Sequence, residues 1–182
     1  MKATQSLQPS EEVDERHIEL ARKAGDAYLE AADHMIEQVA DTGARTQTGD
    51  YIVGFAQEKA EGLYRMQDGT LTWEEPAEGT NCHLEVLVAS AADGRFLPGM
   101  EVRATLEAEN GNTVGSVEIP LVWHPGLYHY GRNLEIPGEG TYTITVEVDP
   151  ATFPRHDEQN GNRFDEPVEV RFEDVQIKTG RN

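Results

Sequence analysis

The chain has 182 residues, enough for one domain with a core of its own and too few to require a second. Acidic residues outnumber basic ones 34 to 15, and the formal net charge of −19 repels phosphate backbones and anionic lipid head groups, which excludes nucleic-acid or membrane binding by charge alone. Asp and Glu are spread along the whole chain, the pattern of a solvated surface in an acidic, halophilic-type protein.

The lone Cys82 excludes an intramolecular disulfide and a Cys-rich zinc site. No apolar run approaches the ~20 residues that span a bilayer. Residues 1–12 lack the apolar stretch of a signal peptide.

Residues 1–10 are polar and are expected to form a disordered tail. Ser10, followed by Glu11 and Glu12, reads as a helix N-cap. Val13, His17, Leu20, Ala24, Ala27, Ala31 and Met35 recur at spacings of three and four, which predicts an N-terminal helix over 11–43, closed by Gly43. A second apolar stripe, including Ile18, Tyr28 and Ile36, predicts that it packs on the body or on a partner chain. From residue 49 the pattern turns to strands, at 51–57, 63–66, 71–73, 82–89, 100–108, 114–121, 133–136, 141–148 and 168–177. Turn signals such as Gln67-Asp68-Gly69 and Pro137-Gly138-Glu139-Gly140 separate them. The spacing predicts an immunoglobulin-like antiparallel β-sandwich over 49–178.

Nucleotide-binding fingerprints and a Gly-x-Ser-x-Gly elbow are absent, so the histidines carry the chemistry. His83 opens a strand with Glu85 two positions on, and residues two apart on a strand project from one face. An imidazole and a carboxylate can therefore converge there on a metal. Cys82 should point the other way, into the core. His124 and His129 flank the turn at Pro125-Gly126 among Trp123, Tyr128 and Tyr130; they read either as ligands or as part of an aromatic cluster closing the sandwich end. His156, with Asp157 and Glu158, lies in a long polar loop and reads as a ligand or as acidic surface. His17 and His34 read as ordinary helical residues.

His83-Leu84-Glu85, Ile119-Pro120-Leu121, Tyr128-His129-Tyr130-Gly131-x-Asn133, Pro137-Gly138-x-Gly140-x-Tyr142, Arg155-His156-Asp157 and Glu166-Pro167-Val168-x-Val170 follow one another in an order and spacing that resemble the periplasmic iron-transport protein family. The resemblance covers about residues 49–178. It implies a small dimeric immunoglobulin-like protein that binds copper and iron beside an iron permease, outside the cytoplasm. It also implies metal ligands at His83, Glu85, His129 and His156, together with a Met. Where the family has Pro-Met, this chain has Pro120-Leu121, and its loop is one residue longer and contains His124. His124 is therefore expected to replace the thioether, which would move preference from cuprous copper toward Cu(II), Fe(II) or Zn. Met100 is a weaker substitute.

The expected function is an extracytoplasmic metal-binding protein, for iron, copper or both, taking part in iron uptake. The alternatives are a metal-free interaction module and, ranked last for want of a general acid or base besides the ligands, a copper-dependent oxidase of ferrous iron.

Overall fold

The computed structural model describes residues 5–182. Helix α1 (Glu15–His34) runs into a π-helical turn at Met35–Val39. The strands that follow are β1 (Thr42–Thr48), β2 (Tyr51–Glu58), β3 (Leu63–Gln67), β4 (Thr70–Glu74), β5 (Cys82–Ser90), β6 (Val102–Ala108), β7 (Thr113–Glu118), β8 (Leu121–Val122), β9 (His129–Leu134), β10 (Gly140–Val148) and β11 (Val168–Ile177). They form one sheet of order β1-β2-β5-β9-β8, a second of order β11-β10-β6-β7, and the separate hairpin β3-β4. The architecture is an antiparallel β-sandwich with an N-terminal helix, as the strand spacing predicts.

The central strand β5 is covered on both faces. Cys82, Leu84, Val86 and Val88 face the second sheet and join Val53, Phe55, Leu106, Ile144, Val146 and Phe172 in the main core. Phe55 and Phe172 meet across the layers with ring centroids 4.8 Å apart. The Tyr142 hydroxyl donates to the Gly138 carbonyl at 2.7 Å, the upstream main-chain contact typical of a tyrosine corner in such sandwiches. The alternate residues Leu87 and Ala89 face outward, where with Ile52 and Ala56 they meet Ala32 and Met35 of the helical segment. One strand thus serves the inner core with one set of side chains and the helix-covered face with the other.

Helix α1 packs on the body of its own chain. The Tyr28 hydroxyl donates to the Tyr128 carbonyl at 2.8 Å, and both carboxylate oxygens of Asp33 accept from Arg45 of β1. At Gly25 the helix lies on the turn after β5, where an added Cβ would fall 1.7 Å from the Asp93 carbonyl oxygen. Among the described residues no helix is long and apolar enough to cross a membrane.

Several expectations need correction. The helix begins at Glu15, not after Ser10, because Asp14 accepts the His17 amide hydrogen at 2.8 Å and caps it. Ser10 Oγ instead accepts from the Glu12 and Val13 amides and donates to the Asp157 carboxylate at 2.8 Å. Residues 5–10 are held rather than disordered: Gln8 exchanges hydrogen bonds with Asn160, and Arg163 donates to the Gln5 carbonyl. The rest of the expected tail, residues 1–4, lies outside the described residues. Gly43 does not close a helix. It belongs to β1, where a Cβ would come 2.7 Å from the Phe55 carbonyl oxygen. That polar edge strand, Thr-Gly-Ala-Arg-Thr-Gln-Thr, has no apolar alternation to announce it. Likewise β9 starts at His129, four residues before the expected 133, because pairing with β5 as far as Tyr130 and with β8 at His129 extends it.

Candidate metal centre

Three adjacent strands of the first sheet build the site on the helix-covered face. His83 and Glu85 of β5 stand between Glu58 and Ala56 of β2 on one side and Asn133 and Gly131 of β9 on the other. His129, Gly131 and Asn133 alternate along β9, so they share a face. Glu85 is flanked by two of the smallest residues, Ala56 and Gly131. A Cβ on Gly131 would lie 3.0 Å from His83 Nε2 and 3.1 Å from His129 Nε2, so glycine there leaves room for the two imidazoles to converge.

His83, Glu85 and His129 are buried, with side-chain exposures of 0, 5 and 1%, and one donor atom from each lies within 4.8 Å of the others. His129 Nε2 is 3.4 Å and His83 Nε2 3.9 Å from the same Glu85 Oε1. The four buried atoms His83 Nε2, Glu85 Oε2, His129 Nδ1 and His129 Nε2 lack hydrogen-bond partners. Buried polar atoms are nearly always satisfied, so unpartnered atoms gathered on two imidazoles and a carboxylate fit a missing cation. Two nitrogens and one oxygen suit Cu(II), Fe(II) or Zn.

Hydrogen bonding supports that reading for His83. The Asn133 side-chain amide is oriented by Glu61: its Nδ2 donates to the Glu61 carbonyl at 2.7 Å and its Oδ1 accepts from the Glu61 amide at 3.2 Å. The same Oδ1 lies 2.8 Å from His83 Nδ1, which must therefore donate. A neutral His83 then carries its proton on Nδ1 and presents the Nε2 lone pair to the site, the arrangement that metal-bound histidines require.

Burial, and then the Glu58 and Glu61 carboxylates, push the Glu85 carboxyl up to about 8. Burial, followed by His83 and His124, pulls His129 down to about 4. At neutral pH His129 is thus in its ligand state, while Glu85 holds a proton until a cation displaces it.

The remaining sequence candidates are placed differently. His124 is exposed at the mouth of the site, with its ring centroid 5.9 Å from that of His129. Its Nδ1 accepts the Gly126 amide hydrogen at 3.0 Å. A neutral ring in that setting carries its proton on Nε2, so His124 offers the site no free lone pair. His156 stands apart from the trio of its own chain. Its side chain is 90% exposed, with Nδ1 3.2 Å from Glu12 Oε2. It lines a cavity of about 650 Å³ with Ser90, at the far end of β5, seven residues and ~23 Å along the strand from His83. Asp157 does not orient the His156 ring. It accepts from Ser10, Gln159 and Asn160, bonds that hold its carboxyl down to about 2. Met100 and Cys82 are buried in the core between the sheets, away from the site.

Sequence reading passed over Gly131 and Asn133 as site residues, although period two from His129 identifies both. Glu61 carries no such signal.

A family model described as Fe2+ transport protein matches residues 63–178, more than half of the chain. UPF0423 proteins of Brucella abortus and Brucella suis are 30% identical over 122 residues, covering 58% of this chain and 66% of their own. The chain therefore spans just under two thirds of the length of these curated relatives. Among solved structures, FetP of a uropathogenic Escherichia coli strain superposes with a TM-score of 0.62 at 20% identity, covering 76% of this chain and 95% of FetP. A copper-bound variant of P19 from Campylobacter jejuni gives 0.62 at 17% identity, covering 77% and 97%. At these identities the two structures speak for a shared fold, while the family match rests on the sequence itself: the chain belongs to the Fe2+ transport protein family.

Proposed function

We propose that the chain binds a transition-metal ion, copper or iron, at His83, Glu85 and His129, and acts outside the cytoplasm in iron uptake. The observation that carries this is the convergence of two buried imidazoles and a buried carboxylate, each with a polar atom that lacks a partner. Membership of an Fe2+ transport family supports the process. The copper-bound P19 variant and FetP, which was expressed in the periplasm, support the metal and the compartment. In this reading the ion is cargo, held and passed on, with an iron permease as the natural recipient.

The expected homodimer gives His156 a role. Exposed and remote from its own trio, it would serve the site of the second copy.

Titration of metal-free protein with Cu(II) and, under anaerobic conditions, Fe(II), followed by calorimetry, tests the proposal. Binding tighter than ~10 μM, near −7 kcal/mol, is expected. A folded protein that binds neither ion at that level overturns it. The metal-free interaction module would then take precedence, favoured by the exposed apolar face that Tyr64, Met66, Leu71 and Trp73 form on the β3-β4 hairpin.

A further inference from the structure

Glu61, just beyond β2, is fixed through its main chain and free at its carboxylate. The Asn133 amide grips its N–H and C=O groups, and the same Asn133 Oδ1 accepts from His83 Nδ1. One side chain of β9 thereby sets Glu61 and His83 in register. The consequence is that Glu61 Oε1 comes 3.5 Å from His83 Nε2, one of the orphaned nitrogens.

Glu61 differs from the trio in exposure. Its side chain is one-third exposed, against 5% or less for His83, Glu85 and His129, so it stands on the solvent side of the pocket. Glu58, the cross-strand partner of His83, is half-buried beside it, and burial followed by the Glu61 charge holds its carboxyl above the usual range. Among the described residues, every ion pair of Glu61 and Glu85 is with an imidazole.

Charge balance gives the arrangement a direction. A divalent cation drawn into a pocket this dry is poorly compensated by one carboxylate and two neutral imidazoles. A second carboxylate brings the donor set to two negative charges and neutralises it. Cys82 and Met100 lie in the inner core, on the opposite face of the sheet from the trio, and Met35 is packed among Ala32, Ile52 and Leu87 under the helical segment.

We propose that Glu61 is the fourth protein ligand of the metal, completing a set of two imidazoles and two carboxylates from the solvent side, and that this set selects Fe(II) or Cu(II) over Cu(I). Oxygen donors favour the harder ions, whereas cuprous copper takes thioether and thiolate ligands. The inference rests on the reading that the trio binds metal, and extends it to the class of ion carried.

The test compares Glu61→Gln with the wild-type chain by calorimetric titration with Fe(II) and Cu(II), and by chelator competition with Cu(I). Glu61→Gln keeps the main-chain bonds to Asn133, so the metal-free melting temperature is expected to be unchanged. Affinity for Fe(II) and Cu(II) should fall by about ten- to a hundredfold, and that for Cu(I) should stay within about threefold. The paramagnetic resonance spectrum of bound Cu(II) should shift as an anionic carboxylate donor gives way to a neutral amide. Wild-type affinity for Fe(II) and Cu(II) in the variant, or an equal loss for Cu(I), overturns the assignment of Glu61. If that happens while His83→Ala abolishes binding, the trio stands and only the fourth ligand falls; a wild-type chain that binds no ion overturns both.

Discussion

Gly131→Ala tests the pocket where the structure makes its most specific demand. The added methyl would sit 3.0 Å from His83 Nε2 and 3.1 Å from His129 Nε2, whereas ordinary van der Waals contact begins near 3.4 Å. Each ring would have to retreat by about 0.3–0.4 Å. Metal–ligand distances tolerate only about 0.2 Å, so two of the three buried donors leave binding range together. The expected loss is about ten- to a hundredfold in Cu(II) affinity, or ~1.4–2.7 kcal/mol. The fold itself should be nearly indifferent, because Ala in a strand recovers ~0.5–1 kcal/mol of backbone entropy relative to Gly, which offsets part of the crowding. Calorimetric titration gives the affinity, and a thermal melt of the metal-free protein controls for folding. A variant that melts like the wild type and binds Cu(II) with wild-type affinity would refute the convergence of the two imidazoles on that space.

The other predictions concern protons, helix docking and the second copy. Glu85, raised to about 8, makes the metal-free fold lose stability as pH rises from about 4.5 through 8; His129, lowered to about 4, makes it lose stability as pH falls from 6.5 through 4. The two slopes cancel between about pH 4.5 and 6.5, so metal-free melting temperature should be level there and decline above about pH 6.5, and Glu85→Gln should abolish the decline on the alkaline side; a wild-type profile flat from pH 6.5 to 8 would contradict the buried carboxyl. Gly25→Ala would drive a Cβ to 1.7 Å from the Asp93 carbonyl oxygen and should cost at least ~1–3 kcal/mol in urea denaturation as the helix lifts; no loss would mean that the helix is not seated there. If the chain pairs as proposed, mixtures of His83→Ala with His156→Ala should recover one complete site per dimer, the intact trio of one copy meeting the intact His156 of the other. Binding by the mixture no better than by the separate variants would remove His156 from the site.

Local period governed what could be read in advance. His83 and Glu85 are two residues apart on one strand, and alternation alone puts them on one face opposite Cys82. The apolar strands β2, β5 and β10 are likewise legible, since inner-core residues recur at every second position. Strand β1 was not, because an edge strand exposed along most of its length needs no apolar pattern. Asn133 and Glu61 are 72 residues apart, and only the pairing of β5 with β9 and the course of the chain after β2 bring them together. In the loop around His156 the polar residues Asp157, Asn160 and Arg163 are spent on holding residues 5–10, a use that composition does not announce.

Where the donors sit explains why the metal can be cargo rather than a structural staple. The inner core, from Val53 and Leu84 to Ile144 and Phe172, contains none of the proposed ligands, so the sandwich does not depend on an ion to close. The trio stands on the opposite face of the same strands, held by β5 and β9 before any ion arrives. That preorganisation has a cost. Buried polar atoms without partners are each worth on the order of 1–3 kcal/mol of destabilisation, and four are gathered here. An arriving cation relieves that cost without reordering the strands, which makes binding strong while leaving the fold intact on release. The groups at the solvent side are set differently: Glu61 is a third exposed, and His124 lies in the exposed turn before β9. The exposed groups thus stand at the mouth of the site, where an ion enters and leaves, and the buried donors behind them are held by paired strands.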